Sequence, residues 1–227
     1  MPSFDILKEW HFPESFRSQA VQSLFTLSEK KAAKRFIGDI HIEEEEWQIG
    51  AIVGRSGTGK TTIARDIFRE NYIEKFEYKH ATILDDFPED LKIQEVTQAL
   101  CDVGFASPPD WLKSYEQLSQ GEKMRVDIAR VLTLPMDLVV FDEFTSVIDR
   151  EIAKIASYAI QKAIRRTKKK FIAVTCHYDI LDWLQPDWAY TTDTMEFLKK
   201  NMSAQESQSI FTKRILDPGK SLGNITI

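Results

Sequence analysis

Residues 54–61 read GRSGTGKT and fit the pattern G-x-x-x-x-G-K-[ST]. They follow the apolar run WQIGAIV (47–53) and lead into TTIARDIFREN (61–71), a helix-forming stretch. A strand that turns through glycines straight into a helix is half of a β-α-β unit, so the chain is predicted to build a largely parallel sheet. Glycines at this spacing let backbone N–H groups curl around phosphate oxygens, and the helix dipole adds positive potential there. Gly54, Ser56, Gly57, Thr58 and Gly59 are therefore candidate phosphate-binding residues. Lys60 is placed to reach the β- and γ-phosphates, Thr61 to offer a hydroxyl to Mg²⁺, and Thr62 to add a second hydroxyl.

The rest of the chain alternates in the same way. FIGDIHI (36–42) and WQIGAIV read as two strands joined by the acidic stretch Glu43–Glu46, a solvated turn. HATILDD (80–86) is the next strand candidate, followed by a helical, proline-punctuated segment over 87–117. LVVFDE (138–143) is an apolar run ending in two acids, as in a buried parallel strand that delivers carboxylates at its C-terminal edge. Asp142 is the candidate for the magnesium shell and Glu143 for orienting or deprotonating an attacking water. REIAKIASYAIQKAIRR (150–166) is an amphipathic helix, and FIAVTCH (171–177) a further buried strand that brings His177 to the same edge, where a ring N–H could donate to a γ-phosphate oxygen. Beyond Asp193 the pattern weakens into a polar tail.

LSQGEKMRVDIARVL (118–132) opens a helix with Ser119, Gln120 and Gly121, which leaves backbone N–H groups aimed at an anion. If a phosphate is to sit there, the Glu122 carboxylate has to point away from it, toward Lys123 or Arg125.

Composition narrows the function classes. The 227 residues are 43% hydrophobic and 29% charged, with a net charge of −5, which argues against a generally basic nucleic-acid binder. The basic run Arg165–Lys170 reads as the cationic end of a helix before it reads as a nucleic-acid patch. No apolar run reaches the ~18 residues that cross a bilayer, and MPSFDILKEW lacks a signal-peptide core, so a cytoplasmic chain without direct membrane insertion is expected. Cys101 and Cys176 form neither a disulfide framework nor a zinc site and are expected to be reduced and partly buried.

Taken in order, GRSGTGKTT, LSQGEK, LVVFDE, SVID (146–149) and the histidine of TCHYD resemble the ABC-type ATPases over roughly residues 36–190. DEFTSVIDR and TCHYDILDWLQPDW also resemble a group of stand-alone bacterial and phage members. The resemblance implies a P-loop NTPase of α/β class: a mostly parallel sheet core, an antiparallel β portion near the N-terminus and a small helical lobe. The ATPase domain is expected over 1–193, with the lobe at about 87–130 and a tail over 194–227. It implies ATP and Mg²⁺ as ligands, hydrolysis to ADP and phosphate, and head-to-tail pairing with a second copy. In that pairing Ser119 and Gly121 cap the γ-phosphate of ATP held by the other copy's Lys60, and the loop ending in Asp149 crosses the interface. What the cycle drives is left open between an effector protein, a membrane subunit and, less favoured, nucleic acid.

The chain departs from the family at the coupling glutamine. Asp85 and Asp86 stand near its place, and Gln94 comes several residues late. Phe25 and Phe36 are candidates to stack on adenine, with a core aromatic as the alternative identity of each.

Overall fold

The computed structural model describes residues 3–26, 31–42, 46–146 and 148–200. Six strands form one sheet in the order β4 (Tyr72–Ile73), β5 (Leu138–Phe141), β6 (Lys170–Thr175), β3 (Ile49–Val53), β7 (Trp188–Thr191), β8 (Glu196–Lys199). Neighbours are parallel except β7 and β8, which pair antiparallel. The central strand β3 is buried along its whole length, because helices or strands cover both faces. A separate two-stranded antiparallel sheet pairs β1 (Ser3–His11) with β2 (Lys31–Asp39), with α1 (Phe16–Leu24) between them in the chain.

Alternation along the strands sorts side chains to two sides. Ile52, Val140, Ile172 and Val174 face α2 (Lys60–Phe68) and the small sheet, meeting Ile63, Ala64, Phe68, Phe4 and Phe36. Ile49, Val139, Phe141, Phe171 and Ala173 face the opposite side, against α3 (Ile93–Asp102), α5 (Gln120–Thr133) and α6 (Arg150–Ile164). Each such fully buried aliphatic side chain contributes roughly 1.5–3 kcal/mol by leaving water. The short helices α4 (Pro108–Trp111) and α7 (Ile180–Leu184) complete the set, α7 closing a third cluster through Leu181 against Ala51, Val53 and Ala189.

Several sequence expectations shift. The strand read over 36–42 ends at Asp39 and pairs with β1, not with the strand that precedes the phosphate loop. Glu43–Glu45 lie outside the described residues. HATILDD is no strand: Ile83–Asp86 forms a 3-10 turn capped by Thr82. Its acids bond locally, Asp85 with the Thr82 hydroxyl at 2.6 Å and Asp86 with the Lys79 and His80 amides at 2.8 and 3.2 Å, which competes with a strand ladder. β8 lies past Asp193, in the stretch read as polar tail, where Phe197 and Leu198 pack onto the core. Cys101 is exposed on α3, while Cys176 is partly buried.

Candidate active site

Three parallel strands end at one edge of the sheet, and each releases candidate groups there. Residue 54 follows β3, Asp142 follows β5, and His177 lies two residues beyond β6. This is the carboxyl edge at which open α/β sheets bind ligands.

The phosphate loop takes its shape from its glycines and from a distant brace. Gly59 caps α2 at φ +103, and a Cβ there would lie 2.2 Å from the Phe36 ring, so only glycine fits. Gly57, at φ +78, faces open space where a Cβ would meet nothing within 4 Å. The Thr58 hydroxyl donates to the Arg55 carbonyl at 2.7 Å and shares a 2.6 Å hydrogen bond with the Thr192 hydroxyl. The Arg55 guanidinium pairs with Asp193 at 3.0 Å, and the Tyr178 hydroxyl donates to the same carboxylate. These contacts hold the Asp193 carboxyl below its ordinary range against the opposing effect of its partial burial. Lys34 of β2 donates to the Gly57 carbonyl at 2.8 Å. Sequence reasoning missed Thr192, Asp193 and Lys34, since no local pattern marks contacts made 23 to 138 residues away.

Lys60 is buried, 7% exposed, and donates to the Arg55 carbonyl at 3.1 Å, a polar contact that a phosphate could replace. Asp142 is 3% exposed; its Oδ1 accepts the Glu143 N–H at 2.8 Å and its Oδ2 the Tyr72 hydroxyl at 2.5 Å. Glu143 is exposed and sits at φ +49, a left-handed conformation that costs a non-glycine residue of order 1–3 kcal/mol and clusters at functional sites. His177 is half-buried, with its N–H donating to the Thr175 hydroxyl at 3.2 Å. Ser56, Thr61 and Thr62 remain partly or fully exposed on the loop and the first turn of α2.

The opening of α5 differs from the sequence expectation. Ser119 caps the helix, and the Glu122 carboxylate folds back to accept both the Ser119 N–H and the Ser119 hydroxyl at 2.7 Å. This reciprocal capping box is the local optimum for S-x-x-E, so Glu122 turns toward the anion position and not toward Lys123 or Arg125. Its own serine partner and the Ser119 amide pull the Glu122 carboxyl below its usual range. Lys123 instead lies over the Tyr115 ring and 3.6 Å from Glu116. Gly121 lies against Ile152 of α6, and among the described residues neither it nor Ser119 shares a hydrogen bond with the chain's own phosphate loop. Asp149 caps α6, accepting the Glu151 N–H at 2.8 Å; Val147 of the same loop lies outside the described residues.

One further acid lies inside the helical side. Asp127 of α5 accepts the Tyr78 hydroxyl at 2.6 Å and the Tyr115 hydroxyl at 3.0 Å, beneath stacked tyrosine rings 3.6 Å apart. Burial, only partly offset by the two hydroxyls and Arg130, pushes its carboxyl up to about 6. An acid raised in the fold contributes stability below its unfolded pKa that is lost as pH rises through the folded value. The shift of about two units corresponds to up to about 3 kcal/mol lost between pH 4 and pH 7. The difference in unfolding free energy between the unaltered protein and Asp127→Asn, from denaturant titrations at those two pH values, is expected to move by that amount against the unaltered chain. A pH-independent difference would contradict it.

Of the aromatic candidates, Phe36 is a core residue at 3% exposure and Phe25 is 71% exposed beyond the end of α1. Trp10, 46% exposed, lies on the face of the small sheet that carries Lys34, by strand alternation and the pairing Lys8↔Lys34; half-buried Phe12 follows it. Three of the five cations in the basic run are engaged within the fold, while Arg166 and Lys168 are exposed. Arg165 grips Asp187 at 2.6 and 2.8 Å, Lys169 donates to the Leu134 and Met136 carbonyls, and Lys170 lies over Trp47.

Comparison with known proteins follows this geometry. The NB-ARC domain family model matches residues 30–161. The methionine import ATP-binding protein of Clostridium tetani is 26% identical over 65% of this chain and 58% of its own. The energy-coupling factor transporter ATP-binding protein EcfA1 of Listeria monocytogenes is 30% identical over 60% of this chain and 61% of its own. The chain thus spans about three-fifths of the length of these curated relatives. A dimeric bacterial ABC transporter cassette superposes with a TM-score of 0.55 at 16% identity, covering 73% of this chain and 89% of that one, a likeness of fold.

Proposed function

We propose that this chain, which belongs to the P-loop NTPase family matched by the NB-ARC model and resembles the ABC-type ATPases, binds Mg-ATP, pairs head to tail with a second copy and hydrolyses ATP to ADP and phosphate. The observation that carries this reading is the shared sheet edge, where a braced glycine loop, a buried lysine and a strand-end acid pair converge.

The residues divide the work. Backbone N–H groups of Gly54, Ser56, Gly57, Thr58 and Gly59 cradle phosphate oxygens, and Lys60 exchanges the Arg55 carbonyl for the β- and γ-phosphates. The donor set suits magnesium: one carboxylate, Asp142, with a lone pair left on each oxygen, and the Thr61 hydroxyl, both hard oxygen ligands. Among the described residues no group of three or more histidines, cysteines or acids could hold a metal alone, so the proposed ion would draw its remaining ligands from phosphate and water. When bound, the ion supplies positive charge at the β- and γ-phosphate oxygens. Glu143 takes the proton of the attacking water, and His177 and Thr62 stand as ring and hydroxyl donors, respectively, toward the γ-phosphate. Trp10 and Phe12 offer the base an apolar platform in place of Phe36 or Phe25.

Ser119 and Gly121 act on the other copy's nucleotide. An ATP γ-phosphate then replaces the Glu122 carboxylate as acceptor of the Ser119 N–H and hydroxyl. Whatever opens and closes with this cycle is an effector protein, and we place the chain in the cytoplasm by its resemblance to ATP-binding subunits. A second reading, an ATP-binding subunit for a separately encoded membrane partner, is favoured by the transporter names of its relatives. The engagement of Arg165, Lys169 and Lys170 within the fold leaves few free cations in the run 165–170 for nucleic acid as the load.

The test is direct. The purified chain is expected to release phosphate from ATP with Mg²⁺ and to double its mass in sedimentation when ATP is added. A chain that neither binds ATP nor pairs would end the reading; co-purification with a membrane protein would select its second form.

A further inference from the structure

Tyr72 is one of two residues in the short edge strand β4, which runs beside β5 with Tyr72 opposite Val140 and Ile73 opposite Phe141. The Asp142 amide donates to the Ile73 carbonyl at 2.8 Å, which extends this pairing to the acid itself. From there the Tyr72 hydroxyl reaches Asp142 Oδ2 at 2.5 Å. The other oxygen is already taken by the Glu143 N–H at 2.8 Å, so both ends of the carboxylate are fixed before any nucleotide arrives.

The phenol is itself held. The Arg65 guanidinium lies 5.1 Å from the centre of the Tyr72 ring, with one nitrogen 3.5 Å from the hydroxyl and another contact of 2.8 Å to Glu74. Arg65 belongs to α2, one helical turn after Thr61. Arg65 and Tyr72 therefore join the helix that carries one magnesium-side group to the strand end that carries the other. The exposed Arg65–Glu74 pair adds little stability on its own, but it restricts where the guanidinium can lie.

We propose that Tyr72 is a positioning residue for the divalent cation: its hydroxyl locks the Asp142 carboxylate in a single orientation and so sets the affinity of the nucleotide site for Mg²⁺. This rests on the ATP-binding reading above. A carboxylate held at both oxygens can present only its remaining lone pairs, a fixed arrangement suited to an ion that demands near-ideal octahedral geometry. Without the hydroxyl the carboxylate rotates more freely, and part of the ion's binding goes into reordering it. Nothing about phosphate or base recognition changes, because Tyr72 has no hydrogen bond to the glycine loop among the described residues.

The experiment separates metal from nucleotide. Tyr72→Phe and the unaltered protein are titrated with a fluorescent ATP analogue in excess EDTA, and then with Mn²⁺, followed by its paramagnetic resonance signal, in the presence of ATP. Loss of a hydrogen bond to a charged group predicts Mn²⁺ binding weaker by about ten-fold, with metal-free nucleotide affinity within about two-fold of the unaltered chain. Tyr72→4-aminophenylalanine, which restores a donor at the para position, is expected to recover most of the loss; this variant also keeps the test open if the Phe variant does not fold. Equal Mn²⁺ affinity in the Phe variant, even with a lowered melting temperature, would reduce Tyr72 to a structural role and overturn the proposal. Failure of the unaltered protein to bind nucleotide in EDTA or with metal would instead overturn the ATP-binding reading beneath it, and the proposal with it.

Discussion

Glu143→Gln is expected to lower ATP turnover by about a hundred- to ten-thousand-fold, the range for loss of a positioned general base. ATP affinity should change little, because glutamine keeps the side chain's size and the backbone bond from its N–H to Asp142 Oδ1. Its main-chain conformation, at φ +49, is equally demanding for either residue, so the variant should fold as the unaltered chain does. With hydrolysis blocked, the ATP-bound pair should accumulate. Phosphate release and sedimentation velocity, run side by side, check both halves. Turnover that survives the substitution would move the base elsewhere, and His177 is then the first residue to replace.

Ser119→Arg is expected to abolish ATP-driven pairing while each separate chain still binds ATP. The change removes the helix cap, costing about 1 kcal/mol, and places a long cation where Glu122 and the incoming phosphate contend for two donors. Glu122→Gln pulls the other way. A neutral amide competes less strongly than a carboxylate for the Ser119 N–H and hydroxyl, since hydrogen bonds to charged acceptors are roughly twice as strong. Pairing in the Glu143→Gln background should then need several-fold less protein. If Ser119→Arg pairs normally by sedimentation while remaining folded by thermal melting, α5 does not hold the partner's nucleotide.

The legible parts of this molecule are those in which function lies in consecutive residues. The glycine loop, the strand before Asp142, the helix from Arg150 and the strand before His177 are runs in which hydrophobic period and punctuation agree. β1 hid because the outward residues of its small sheet are solvated and its hydrophobic members, such as Leu7 and Trp10, are exposed. HATILDD has an apolar centre that suggests a strand, whereas Thr82, Asp85 and Asp86 satisfy the backbone locally and make a 3-10 turn. Tyr72, Lys34, Thr192 and Asp193 left no signal, since each acts through a contact that only the sheet order creates. Glu122 departs from its expected orientation, because a box closed within four residues outweighs the requirement of a ligand not yet present.

The tie from the last hairpin to the glycine loop bears on the entropy of binding. Thr192 and Asp193 follow β7, and through Thr58 and Arg55 they keep the loop in its curled form at a separation of more than 130 residues. A loop shaped in advance does not have to be frozen by the molecule that enters it. If the chain captures a nucleotide, the loop is expected to lose little further freedom, because the entropy that a floppy cradle would surrender on closing has already been lost during folding.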